Sequence, residues 1–168
     1  MAKREILQYP DPRLRTPAQR VEVIDERVRA LVDDMFETMY DAPGIGLAAT
    51  QIDVHERIVV IDISDAGNAP QVLINPEIIE RTERCDVAEE GCLSIPGYAD
   101  DVERPIELRL RAQDLSGEVF EIEADGLLAR CIQHEVDHLE GRLFIDYLSD
   151  LKRKRLRRRY EKLARQHA

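Results

Sequence analysis

No stretch of the chain approaches the roughly eighteen consecutive apolar residues that a membrane-spanning helix needs. Met1-Ala2-Lys3-Arg4-Glu5 leads into no apolar core of the signal-peptide kind. A membrane protein and an exported one are therefore not expected, and the cytoplasm is the expected location. Cysteine is scarce: Cys85, Cys92 and Cys131 are an odd number, and no two of them have the two-residue spacing of a zinc knuckle or a redox pair. A disulfide framework is excluded with these, so each thiol is read as core filler or as a ligand. Cys85 and Cys131 are read as filler. Tryptophan is absent, which at 43% apolar residues is ordinary for a soluble globule. There are no internal repeats and no low-complexity linker, so residues 1–168 are read as one domain with a real core, expected as a monomer.

Basic charge is scarce everywhere except at the end. Of 24 Lys and Arg, nine fall in residues 152–168 against one Glu, leaving fifteen basic and thirty-three acidic side chains in residues 1–151. The acidic body would repel phosphates, which excludes nucleic-acid binding through the core. The basic tail is a separate matter.

Residues 3–23 read as an extended lead-in, because Pro10, Pro12 and Pro17 forbid a regular helix. Asp25 is placed to cap a helix in which Val28, Leu31, Val32, Met35, Phe36 and Met39 form one buried stripe, ending at Asp41-Ala42-Pro43-Gly44. Strands are expected over Arg57–Ile63 and Gln71–Asn75, where Pro76 breaks the run before Ile78 and Ile79 resume it. Arg84 to Arg104 reads as an irregular acidic segment. Ile106, Leu108, Leu110 and Ala112 alternate with polar residues as a half-buried strand, which turns at Asp114–Gly117 into Val119–Ala124. Leu143–Ile145 is a candidate short strand, and Ser149–Arg165 a final helix within a basic tail spanning 149–168. Turns too short for crossover helices indicate an α+β fold: largely antiparallel sheets packed around a central helix, with a first amphipathic helix and a basic C-terminal one.

That central helix carries the chemistry. Asp125 is a plausible N-cap, Gly126 to Leu139 contains no proline, and Gly141 is placed to end it. Within it lies Gln133-His134-Glu135-Val136-Asp137-His138. Two imidazoles four residues apart stand on one helix face and can share a metal ion, while the adjacent glutamate reaches the ion's water. A catalytic site of this kind needs a third protein ligand and an open position. A downstream Glu or His would fit a thermolysin-like or metzincin protease, but Gly141 and Arg142 stand where the longer metzincin motif would continue. Cys92, upstream, remains.

Three segments, in this order and at these separations, resemble the signatures of the bacterial peptide deformylases: Gly44-Ile45-Gly46-Leu47-Ala48-Ala49-Thr50-Gln51, Glu90-Gly91-Cys92-Leu93-Ser94, and the helix motif itself. The resemblance covers nearly the whole chain. It implies that Cys92, His134 and His138 bind the metal, that Glu135 is the general base and acid, and that Gln51 and the backbone N–H of Leu93 form the oxyanion hole. It implies removal of the formyl group from N-formylmethionine at the start of nascent polypeptides, with iron(II) as the usual native metal and zinc, nickel or cobalt as substitutes. A divalent ion lowers the pKa of bound water from 15.7 towards roughly 7, but with a thiolate among its ligands the ion is a weaker acid, so Glu135 must help.

The nascent chain would lie beside Ile45 and Gly46, pairing backbone to backbone. Ile45, Leu127 and Cys131 are candidates for an apolar pocket around the methionine side chain. The stem of Arg130 could join them, but its charged head can turn to solvent, and Arg130 is left out of the site. The tail, with Leu156, Tyr160 and Leu163 on one stripe, is either a solvated helix or a ribosome-facing one. Two further readings stay open: a zinc-dependent peptidase, and a ribosome-binding module with a structural metal.

Overall fold

The computed structural model describes residues 2–166. The lead-in is extended apart from a turn at Tyr9-Pro10 and a 3-10 turn at Pro12–Arg15, and Gln19 bridges to Glu56. Asp25 then caps α1 (Glu26–Asp41), its Oδ1 accepting from the Val28 N–H at 3.2 Å. Val28, Leu31, Val32, Met35 and Met39 are buried as the spacing predicts, while Phe36, at the stripe's margin, is half-buried.

Seven strands follow: β1 (Gly46–Ala48), β2 (Ile58–Ile61), β3 (Gln71–Arg81), β4 (Cys85–Cys92), β5 (Ile95–Pro105), β6 (Glu107–Gln113) and β7 (Val119–Asp125). Two further helices follow among the described residues, α2 (Gly126–Leu139) and α3 (Asp150–Gln166). Every strand pairing is antiparallel; one sheet has the order β1-β2-β3-β6-β7, and β4 and β5 form a separate ribbon.

The continuous apolar run of β2 has a direct cause. Val59 and Ile61 pack with Ile132 and Val136 of α2, while Ile58 and Val60 face Val32 and Met35 of α1. Both faces of the strand are covered, so neither needs polar residues. A third cluster joins Tyr9 and Leu14 of the lead-in to Ile95 and Val102 of β5 and to Phe144, Leu156 and Tyr160, fixing α3 against the ribbon. The α+β fold with α2 at its centre is as expected.

Several details differ. β3 runs through Pro76: its pairing with β6 shifts register between Ile74 and Glu77, so the residue that lacks an N–H falls in an irregularity of the ladder. Asn75 holds that point with φ of 51° and bonds to Val21 N–H, Val21 C=O and the Gln113 side chain. Residues 85–105 are not irregular but form the β4–β5 hairpin, whose buried positions include charged ones, Glu90 and Arg104, rather than an apolar alternation. Leu143–Ile145 gives no strand; Phe144–Tyr147 is a 3-10 turn in which Asp146 accepts from the Leu143 N–H. Cys85 is exposed and fills no core, whereas Cys131 is buried. Residues 167 and 168 of the expected basic tail lie outside the described residues.

Candidate metal centre

α2 begins after Asp125, which occupies the N-cap position in extended backbone but makes no side-chain capping bond. Its other end is firmly set. Gly141 has φ of 77°, and a Cβ there would stand 2.5 Å from the Arg15 carbonyl oxygen, so only glycine lets the lead-in cross at this point. Every residue from Ala129 to Leu139 is buried, His134, Glu135 and His138 among them.

The third element is the tip of the ribbon. β4 ends at Cys92, which pairs with Ile95 across the two-residue loop Leu93-Ser94. This brings the Cys92 Sγ to 3.3 Å from His138 Nε2, with one ligand atom each of Cys92, His134 and His138 lying within 4.8 Å of one another. Gln51 sits in a 3-10 turn (Ala49–Ile52) that follows β1. Its Oε1 accepts from the Ala48 N–H at 3.0 Å, which turns Nε2 toward Ser94 Oγ at 3.1 Å and Cys92 Sγ at 3.6 Å.

The side chains fit a cation on three counts. The donor set of one thiol and two imidazoles suits borderline-soft divalent metals. His134 engages its Nδ1 with Glu90 Oε1 at 2.9 Å, which leaves Nε2 for the centre. Burial works against charge on His134, yet Cys92, Glu135 and Glu90 outweigh it and push its pKa well up, a pull toward positive charge that a cation can satisfy as a proton can. Burial, with the His134 charge beside it, pushes His138 well down, toward the neutral imidazole that coordinates.

Glu135 is packed differently. Its Oε1 is buried and has no hydrogen-bond partner, and burial pushes its carboxyl up to about 7. Its other oxygen rests against Gly46, where a Cβ would come within 2.5 Å of it. Such a carboxyl is poised to exchange a proton near neutrality.

These groups open onto a cleft of about 850 Å³ between β1, the ribbon and α2. Ile45, Gly46, Gln51, Cys92, Leu93, Leu127, Cys131, His134 and Glu135 all line it; His138 is 1% exposed and lies beneath. Ile45 and Leu127, 43% and 53% exposed, are at its rim. Arg130 is a correction: it does not turn to solvent but lines the cleft, with its guanidinium 2.6 Å from Glu90 Oε2 and 2.9 Å from the Val102 carbonyl. Sequence reasoning also passed over Glu90 and its partners. Arg104 donates to both Glu90 oxygens at 2.5 and 2.9 Å and to Asp137 Oδ2 at 3.0 Å, and Tyr147 OH donates to the same Asp137 oxygen.

A family model described as polypeptide deformylase matches residues 3–154. The chain belongs to the polypeptide deformylase family. A peptide deformylase of Pseudomonas aeruginosa is 60% identical over all of both chains, and one of Azotobacter vinelandii is 58% identical over 99% of each. Among solved structures, the peptide deformylase of Legionella pneumophila superposes with a TM-score of 0.91 at 49% identity, covering 99% of this chain and 98% of that one. The Ehrlichia chaffeensis enzyme in complex with actinonin superposes at 0.92 and 41% identity, covering 96% and 98%. Deformylase activity, hydrolytic removal of the N-formyl group from formylmethionyl nascent peptides, is therefore the activity of this chain. That decides among the three readings open at the sequence, against the peptidase and the structural-metal module. The deformylase family is metal-dependent, and Cys92, His134 and His138 are a cluster able to hold a metal. No helix among the described residues is long and apolar enough to cross a membrane.

Proposed function

We propose that Cys92, His134 and His138 hold the metal of this deformylase, iron(II) in the native enzyme with zinc, nickel or cobalt as substitutes, and that Glu135 is its general base and acid. The observation that carries this is the meeting of Cys92 Sγ and His138 Nε2 at 3.3 Å beside a buried carboxylate with an unpartnered oxygen. A divalent ion held there would supply a Lewis acid and lower the pKa of a water toward neutrality, though less far with a thiolate among its ligands than with three imidazoles. Glu135 takes the proton of the attacking water as the water oxygen bonds to the formyl carbon. When the C–N bond breaks, Glu135 returns the proton to the amine nitrogen, and formate and a free amino terminus result.

Charge grows meanwhile on the formyl oxygen. Gln51 Nε2, aimed by the Ala48 N–H, and the backbone N–H of Leu93 at the ribbon tip are the donors for it. Gln51→Ala raises the barrier by about 2.7 to 4 kcal/mol while metal content stays unchanged. The substrate backbone lies along Ile45 and Gly46, because β1 is an edge strand whose inner edge alone is occupied, by β2. Leu127 and Cys131 receive the methionine side chain.

The chain works as a single-domain monomer in the cytoplasm. α3 offers the ribosome a basic face: Leu156 and Tyr160 are buried, Lys152 pairs with Asp100, and Arg155 and Arg158 are exposed. Replacing Arg155 and Arg158 by Ala weakens ribosome binding most at low salt.

Anaerobic hydrolysis of formyl-Met-Ala-Ser, followed by formate release, tests the centre. The iron- or nickel-loaded wild type releases formate, and Glu135→Ala slows release by about 10² to 10⁴-fold with metal still bound. Full activity in Glu135→Ala overturns its role. The iron form loses activity in air faster than the nickel form, since iron(II) oxidises more readily than nickel(II) while the thiolate is common to both; equal losses overturn oxidation of the iron as the route of inactivation.

A further inference from the structure

We infer that Arg130 is a positioning residue for the metal centre, acting through Glu90 on His134, and that it makes the wall of the substrate cleft and the ligand set move as one unit. The inference rests on the reading of Cys92, His134 and His138 as metal ligands.

Arg130 lies one turn before His134, so the two side chains stand on the same face of α2. Both reach Glu90, the residue two before Cys92 on β4. The Glu90 carboxylate is fully used: Oε1 accepts from His134 Nδ1 and Arg104 Nη2, and Oε2 from Arg104 Nε and Arg130 Nη1. Without the Arg130 bond, Oε2 would keep only Arg104 Nε, so the carboxylate that meets His134 Nδ1 would follow the Arg104 side chain alone and would lose its tie to the turn of α2 that precedes His134.

Arg130 is itself anchored on both strands of the ribbon, to Val102 C=O on β5 at 2.9 Å and to Asp86 Oδ1 on β4 at 2.8 Å. One guanidinium thus ties the helix carrying two ligands to the ribbon carrying the third. An apolar residue of the same length would line the cleft as well and would tie nothing. Arg130 also lines the cleft, together with Leu127 and Cys131, so the residue that braces Glu90 is part of the wall a substrate meets. A group bonded directly to a metal-ligating histidine, as Glu90 is to His134, typically changes metal affinity by about 10 to 100-fold when lost; Arg130 stands one hydrogen bond further out, so its loss is expected to have a smaller effect.

The test uses the full chain loaded with cobalt(II) under anaerobic conditions, comparing wild type, Arg130→Met and Arg130→Lys. Cobalt affinity is measured by chelator competition, the ligand field by the visible and thiolate charge-transfer bands, turnover by kcat and KM on formyl-Met-Ala-Ser, and folding by thermal unfolding of the metal-free protein. Arg130→Met is expected to bind cobalt several-fold more weakly, by up to about tenfold, with shifted bands and a fall in kcat larger than the rise in KM. Arg130→Lys, which keeps the charge but cannot fork, is expected to lie between. Wild-type affinity and bands in Arg130→Met overturn the inference, even if that variant unfolds at lower temperature. If Arg130→Met does not fold, Arg130→Lys carries the same criteria. A wild type that binds no stoichiometric cobalt, or binds it without a thiolate band, overturns the ligand assignment and the inference with it.

Discussion

α2 and the β4–β5 ribbon carry the ligand-type side chains between them, and different forces hold them. α2 is buried continuously from Ala129 to Leu139, its Ala129, Ile132, Val136 and Leu139 packed in one apolar cluster with β2 and β6. The ribbon exposes Cys85, Asp86, Val87 and Glu89, and beside the apolar Ile95 and Val102 it buries a carboxylate, Glu90, and a guanidinium, Arg104. The helix is placed by apolar area, which is insensitive to direction. The ribbon is pinned by Glu90 and Arg104, charge-assisted bonds that fix angle as well as distance. The contrast suits a centre with a fixed base and two histidines on the rigid element and one thiolate brought in from outside.

The largest effect is expected where the pin is removed. Glu90→Ala leaves Arg104 and Arg130 buried without their shared partner, a change that costs about 3 to 5 kcal/mol for buried ion pairs. Urea unfolding of the metal-free protein measures it. A loss below about 1 kcal/mol, the range of exposed pairs, would break the comparison and leave the ribbon held by its apolar contacts alone.

Acid should undo the same pin in the wild type. Burial alone would raise the Glu90 carboxyl, but the bonds from His134 and Arg104 outweigh it and hold the pKa down to about 2, against an ordinary 4.5. Because the folded value is the lower one, the stabilisation is present above the ordinary value and is lost as pH falls towards about 2. Its size is on the order of 3 kcal/mol. Urea midpoints measured between about pH 5 and about pH 2 should fall less steeply in Glu90→Gln than in the wild type; parallel slopes would place the acid sensitivity elsewhere.

The same difference in forces explains what could be read beforehand. α1 and α2 announce themselves through apolar residues at helical spacing, and the histidine pair is local to one turn. β4 has no such pattern, because its one buried side chain is Glu90 and its neighbours face water, so the ribbon reads as irregular. Glu90, Arg104 and Arg130 are legible only as a set. Each alone is a charged residue that would ordinarily face solvent, and they meet across 14 and 40 positions of chain. Pro76 was misleading for a related reason: a strand break and a tolerated register shift look alike until the partner strand is known.

A conservative cut in the helix should be milder. Ile132→Val removes one methylene from the apolar cluster and is expected to cost about 0.5 to 1.5 kcal/mol, with no change in cobalt affinity. A change in affinity would mean that apolar packing sets the ligand geometry after all.

The smallest effect sharpens the contrast within the ribbon itself. Val87, 61% exposed, is three residues from Glu90 on the same strand. Val87→Thr keeps the branched shape that suits a strand and disturbs no buried partner, so unfolding free energy should move by no more than about 0.5 kcal/mol. If it moves further, the outer ribbon bears load that its exposure does not suggest. If it does not, the ribbon's contribution to the centre is concentrated in its last few residues, where one carboxylate joins two guanidiniums and an imidazole.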